Sequence, residues 1–215
     1  FLGNEFKKIE EINQHLFEGK NIALISDAGT PLISDPGSEL VSYLISNNHN
    51  IISIPGPSSV LTALTVSGFK TDEFQFLGFI PKSQKEKLDF LVKLFNSPMP
   101  TVCFTSPKRV KKDLEYFDSQ GLDSEIVVCR ELTKKFETIY RGKASELKHH
   151  FESDVKGEIT IVIGPSSGDK KINLDLDEAI KILIKSNISK KDISKALSLV
   201  TEHSVNDLYN KIKDL

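Results

Sequence analysis

The sequence predicts an α/β protein: two α/β domains with mixed, mostly parallel sheets, followed by a helical appendage. Three observations lead there. Two apolar runs, Asn21–Ile25 and Ile51–Ile54, each pass through a Gly/Pro loop into a helix-like stretch, and successive strand–loop–helix units build parallel sheets. Further β-rich runs at 101–105, 125–129 and 157–164 alternate with helical patterns. Beyond Asp169 the apolar residues recur at helical spacing. The expected division is 1–80, 81–168 and 169–215.

The chain has 215 residues, 39% apolar and 27% charged, enough to bury a sizeable core. A net charge of −2 does not announce a polyanion partner, but its distribution is uneven. Residues 1–81 carry four Lys/Arg against nine Asp/Glu, and residues 82–150 carry fourteen against ten. The basic middle segment is either a nucleic-acid face or a solvated surface. Cys103 and Cys129 lie inside apolar strand-like runs and read as small core residues. There is no zinc spacing or disulfide framework, so no metal is expected. No apolar run is long enough to span a bilayer. The expected setting is the cytoplasm.

Taken in order, residues 4–19 place Phe6, Ile9, Ile12, Leu16 and Phe17 at amphipathic-helix spacing, ending near Gly19. The strand Asn21–Ile25 runs into Ser26–Gly37, SDAGTPLISDPG. Here Pro31 and Pro36 fix φ, and Gly29 and Gly37 permit close backbone approach. Asp35 before Pro36 reads as an N-cap followed by an N1 proline. A helix follows to about Asn47, with Leu40, Val41, Leu44 and Ile45 on one face. The strand Ile51–Ile54 leads through Pro55–Ser59 into a helix ending at Gly68. Right-handed crossovers place both Gly/Pro loops at the C-terminal edge of one sheet, where open α/β folds bind ligands.

Phe74–Pro81 reads as a strand and a hinge. Residues 83–96 look helical, with Leu88, Leu91, Val92 and Phe95 spaced for burial. The strand Thr101–Thr105 leads into Ser106–Arg109 and a helix to about Phe117. The strand Glu125–Cys129 leads into Arg130–Lys134, and Phe136–Arg141 continues as a strand of mixed character. Ala144–Phe151 is helical, and Gly157–Gly164 is the final strand. In the tail, 175–185 and 189–213 give two or three helices, with Ser189 and Ser204 as N-caps. They form either a helix-turn-helix or a packing appendage.

No dinucleotide fingerprint, P-loop or nucleophile elbow is present. The chemistry therefore rests on the two Gly/Pro loops and on two polar clusters, Ser106–Arg109 and Arg130–Lys134, both at strand ends. Their cations suit a phosphate or carboxylate. Glu131, beside Arg130 and Lys134, is a positioned acid or base or a structural ion pair; Glu131 and Lys134 are the candidate catalytic residues.

SDAGTPLISDPG, PGPSS, FLGFIPK, TSPKR, CRELTKKFE and GEITIVIG together resemble the tetrapyrrole methylase superfamily, in its branch that methylates small-subunit ribosomal RNA. The matches are colinear over about residues 20–164. The resemblance implies two α/β domains with S-adenosylmethionine in the cleft between them, a homodimer, and methyl transfer to the 2′-oxygen of a cytidine ribose in the decoding region. It implies cofactor contacts at Asp27, Ala28, Gly29, Thr30, Ser58 and Ser59, with the adenine near Thr105, Ile159 and Thr160. Arg109, Arg130 and Lys134 are the candidate RNA-phosphate contacts. The family's Thr-Pro-Ile-Gly-Asn-type loop and Glu-Asp-Thr-Arg motif are not in this sequence. The chain is therefore expected to be an N-terminally truncated piece. A corrin-precursor methyltransferase and a non-catalytic RNA-binding module are the competing readings.

Overall fold

The computed structural model describes residues 5–152, 155–166, 180, 183–184, 188–198, 201 and 203–213. The chain forms two compact units, Phe1–Ser167 and Gly168–Leu215. In chain order the first unit holds α1 (Glu5–Phe17), α2 (Ser38–Ser46), α3 (Ser59–Ser67), β1 (Gln75–Phe79), α4 (Gln84–Phe95), β2 (Thr101–Thr105), α5 (Val110–Ser119), β3 (Ile126–Arg130), β4 (Thr138–Gly142), α6 (Ala144–Leu147) and β5 (Ile159–Ile163). A 3₁₀ turn, Lys148–Phe151, follows α6 and replaces the second half of the helix expected over 144–151.

The mixed α/β class holds. The sheet has five strands in the order β1-β2-β5-β3-β4. Its directions are one parallel pairing, β1 with β2, and three antiparallel ones, rather than mostly parallel. The inner strands are apolar on both faces because helices cover both. Cys103, Val128, Ile161 and Ile163 pack with Phe90, Leu94, Leu114, Phe117 and Leu147 of α4, α5 and α6. Val102, Val127, Cys129 and Val162 pack with Val60, Ala63 and Leu64 of α3. Burial on both faces explains why 126–129 and 159–163 read as unbroken apolar runs.

Two expected strands are not strands. Asn21–Ile25 and Ile51–Ile54 carry no ladder, and no backbone hydrogen bond ties either to another segment among the described residues. Ile25 is 84% exposed and Ile52 72%. A strand exists only by pairing, and β propensity without a neighbour does not supply the missing ladder. The parallel sheet expected of residues 1–80 is thus absent among the described residues. On α4 the buried face is Phe90, Leu91 and Leu94, while Leu88 and Val92 face solvent. Helix α2 begins at Ser38 with Gly37 as N-cap and no side-chain cap, so Asp35 is not the cap the sequence suggests.

The thiols are core residues, as expected. Burial pushes Cys103 far above the usual range, and Cys129 up to about 11.

One buried carboxylate ties the sheet to its helices. Asp113 of α5 is 1% exposed. Its Oδ2 accepts the Thr105 hydroxyl at 2.6 Å, and its Oδ1 accepts Arg109 at 3.1 Å and Lys87 at 3.2 Å. Arg109 also donates to the carbonyls of Ile80 (2.9 Å) and Pro81 (2.7 Å). The ends of β1 and β2 and two helices therefore meet on one anion.

In the second unit, α7 (Lys190–Ser198) and α8 (Val205–Lys213) pair. Ile180, Ile193, Leu197, Leu208 and Ile212 form their core. Ser189 and Ser204 accept from the N–H groups of Asp192 and Asp207, each at 3.1 Å, and are the N-caps expected. Most of the helix expected over 175–185 lies outside the described residues. Among the described residues no helix is long and apolar enough to cross a membrane.

Removing Asp113 strands two cations, and breaking a buried pair in this way costs about 3–5 kcal/mol. Asp113→Ala is expected to lower urea-unfolding stability by that amount. Thr105→Val, which removes one hydrogen bond to the charge, is expected to cost about 1.5–3 kcal/mol.

Candidate active site

The loop 26–37 is built by its own short side chains. The Ser26 hydroxyl donates to the carbonyl of Gly29 at 2.8 Å, closing a tight turn. The Thr30 hydroxyl donates to the carbonyl of Pro57 at 2.9 Å, across 27 residues of sequence. Gly29 has φ 75°, and a Cβ there would sit 3.6 Å from the same Pro57 oxygen. A Cβ on Gly56 would sit 3.4 Å from Thr30 Oγ1. The two Gly/Pro loops are therefore in contact. Further along, Leu32 and Ser34 hold positive φ (75° and 62°), a strained choice for residues with side chains.

Ser58 N-caps α3, its hydroxyl accepting the Leu61 N–H at 3.4 Å, and Ser59 opens the helix. Asp27 and Ala28 are exposed, and the Asp27 carboxylate has no hydrogen-bond partner among the described residues. The six residues expected at the cofactor from this half are thus brought together, with one free carboxylate among them.

The second group is also gathered, but lies deeper. Thr105, Ile159 and Arg130 are register partners in one row across β2, β5 and β3. Thr160 is one row inward, opposite Phe104 and Cys129. The side chains of Thr105, Ile159 and Thr160 are buried, and the Thr105 hydroxyl is already given to Asp113. Ile159 and Thr160, on the central strand, face ladder partners on both sides. The 26–37 loop touches β1, where a Cβ on Gly78 would sit 3.7 Å from the Ser34 hydroxyl, and Phe79 of β1 packs edge-on against Phe104 of β2 at 5.4 Å.

Arg130 donates through Nε to the carbonyl of Lys156 at 2.7 Å. After it the chain turns on two non-glycine residues with positive φ, Glu131 (52°) and Thr133 (65°). The Glu131 carboxylate accepts the Glu158 N–H at 2.9 Å and the Lys134 ammonium at 3.0 Å. Lys134 also reaches Glu158 at 2.9 Å. The Glu158 N–H, then Lys134, hold the Glu131 carboxyl below the usual range. Glu158 and Glu131 in turn hold the Lys134 ammonium above its own. Arg109, the third candidate phosphate contact, spends its guanidinium on the Ile80 and Pro81 carbonyls and on Asp113.

Sequence reading missed three participants. Asp113 carried a usable signal, its i,i+4 spacing from Arg109. Glu158 and Gly157 carried none: Gly157 (φ 100°) matters because a Cβ there would collide with the Glu131 side chain. Among the described residues no group of three or more His, Cys, Asp or Glu side chains could hold a metal. A cavity of about 130 Å³ lies between α1 and the start of α2, lined by Ile9, Ile12, Gly37 and Leu40 among others, and contains none of the candidate residues.

Residues 3–148 match the family described as Tetrapyrrole (Corrin/Porphyrin) Methylases. The chain is 36% identical to a ribosomal RNA small subunit methyltransferase I of Mesorhizobium japonicum, over 92% of this chain and 68% of that one. It is likewise 36% identical to the Vibrio cholerae protein of that name, over 93% and 70%. Among solved structures, a cobalt precorrin-4 methyltransferase of cobalamin biosynthesis superposes with TM-score 0.54 at 20% identity, covering 73% of this chain and 69% of that one. A Thermus thermophilus uroporphyrin-III C-methyltransferase in complex with S-adenosyl homocysteine superposes with TM-score 0.50 at 14% identity, covering 75% and 74%. The chain belongs to the tetrapyrrole methylase family.

Because the folded Glu131 carboxyl is lowered, the order it gives the loop is complete above the ordinary glutamate range and is lost as pH falls through the lowered value. The Glu158 amide NMR signal is expected to titrate below that range in the native protein, and not to titrate there in Glu131→Gln. Gly157→Ala, which displaces the Glu131 side chain, is expected to move the midpoint upward.

Proposed function

We propose that the chain transfers a methyl group from S-adenosylmethionine to ribosomal RNA of the small subunit, at the 2′-oxygen of a cytidine ribose in the decoding region. The observation that carries this reading is the Thr30–Pro57 hydrogen bond. It joins two Gly/Pro loops, the first of which carries the exposed Asp27, in a chain whose relatives bear the name of a small-subunit rRNA methyltransferase.

The residues present fit the cofactor. An exposed, unengaged carboxylate at Asp27 suits an ammonium or ribose hydroxyls. Ala28, Gly29 and Thr30 present backbone beside it, and Gly29 and Gly56 add no side chain where the loops meet. Ser58 and Ser59 lie at the N-terminus of α3, where backbone N–H groups lack helical partners. Thr105 and Ile159 stand at the ends of their strands on the side of the sheet assigned to the adenine, with Thr160 one row inward. When bound, the cofactor supplies a methyl group already activated by its sulfonium. The chain's task is to align the acceptor hydroxyl, and such positioning is worth up to about 7–11 kcal/mol of barrier.

Glu131 takes a positioning role in this reading. A carboxylate held below its usual range, with one oxygen shared by an N–H and an ammonium, is a weak base. Lys134, 47% exposed, and Arg130 meet RNA phosphates. Arg109 secures the Ile80–Pro81 segment that leads from β1 into α4. The reading includes a homodimer working in the cytoplasm.

Calorimetric titration with S-adenosylmethionine is expected to give saturable binding. Asp27→Ala removes a charged hydrogen-bond partner and should weaken it about 10- to 150-fold, with the far-UV spectrum unchanged. Tritiated methyl from the cofactor should appear on small-subunit RNA as a nuclease-resistant 2′-O-methylcytidine dinucleotide. Label on a corrin precursor and not on RNA would overturn the substrate assignment.

A further inference from the structure

The loop that follows β3 carries two apolar side chains, and they go opposite ways. Leu132 packs inward against Val127, Cys129 and the α3 side of the sheet. Phe136 points outward and is 64% exposed. Exposure of one phenylalanine is ordinary by itself. Here it sits on a segment pinned at close intervals. Lys134 N–H donates to the Glu131 carbonyl at 3.0 Å, Glu137 N–H to the Lys134 carbonyl at 3.1 Å, and Thr133 N–H to the Glu137 carboxylate at 2.6 Å. With Glu131 and Thr133 both at positive φ, the ring is held out by a preorganised backbone.

Charges of both signs surround it. The Lys135 ammonium lies over the Phe136 ring, 5.7 Å from its centroid; Lys134 stands on the same loop, and Arg130 ends β3 just before it. The nearby carboxylates are engaged: Glu137 by Thr133, and Glu131 and Glu158 by Lys134. A flat apolar face flanked by ammonium groups matches the chemistry of an unpaired nucleotide. Its base stacks on an aromatic ring while its phosphates meet the cations.

We infer that Phe136 is a stacking platform for an unpaired base of the RNA substrate, with Lys134 and Lys135 holding the adjoining phosphates. The inference rests on the RNA-substrate reading above and adds the residue that grips a base. Stacking of this kind tolerates any base, so Phe136 supplies affinity and placement, and sequence choice lies elsewhere.

The test titrates the full chain with a short single-stranded RNA containing one 2-aminopurine, whose fluorescence falls on stacking. Native protein should quench the probe and bind it with an affinity that falls with salt. Phe136→Ala should lose the quench and weaken binding about 5- to 150-fold, at an unchanged salt slope and unchanged S-adenosylmethionine affinity. Phe136→Trp should restore both. Lys134→Ala with Lys135→Ala should reduce the salt slope and keep the quench at saturation. Native binding that Phe136→Ala leaves intact would overturn the stacking role and spare the RNA reading. No RNA binding by the native protein would overturn both. A sedimentation shift from dimer to monomer in Phe136→Ala would assign the ring to a protein interface and overturn the inference.

Discussion

Asp113 is the point on which the first unit depends. A carboxylate this deeply buried is tolerable only when its charge is met, and each of its partners comes from a different place. Lys87 brings α4, Thr105 the end of β2, and Arg109 the turn into α5. Arg109 then passes the constraint on to the Ile80 and Pro81 carbonyls, just beyond β1. The one parallel pair of strands is thereby fastened at the end where Thr105, Ile159 and Arg130 share a row. A greasy contact at this place would give stability without direction, whereas a fork of hydrogen bonds fixes angles.

Much of this architecture was legible in the residues. The strands at 101–105, 126–130 and 159–163 announce themselves as apolar β-rich runs, because helices cover both faces of the sheet. Gly68 closing α3 and the serine caps of the tail are local chemistry and read locally. Strand direction did not read. Asn21–Ile25 and Ile51–Ile54 have the composition of buried strands, yet composition records an appetite for pairing and not the presence of a partner. Likewise Leu88 and Val92 match a helical stripe, but the buried face of α4 is rotated onto Phe90 and Leu94. Periodicity gives the existence of a face before it gives its phase.

The site divides the same way. Gly/Pro loops at strand-like ends led to the 26–30 and 56–59 segments, and the contact between them rests on one threonine hydroxyl. The basic clusters were found but not sorted. Arg109 and Arg130 look alike in sequence, and only tertiary structure shows one guanidinium held by Asp113 and two carbonyls and the other, at the end of β3, giving one hydrogen bond to the Lys156 carbonyl. Glu131 looked equally suited to proton transfer or to ion pairing. Its partner, the Glu158 N–H, lies 27 residues away and is made reachable by the side chain that Gly157 lacks. Such pairings are invisible to local pattern, because they depend on which strands become neighbours.

The two thiols have a practical bearing of their own. Both are sealed in the sheet, and burial keeps both protonated well above neutral pH. Thiolate is the reactive form, so the native protein is chemically silent toward maleimides while folded. A single cysteine placed on any exposed loop would then carry a fluorophore or spin label alone. Reaction at the native positions would itself report opening of the sheet, making Cys103 and Cys129 built-in clocks for how often the core breathes.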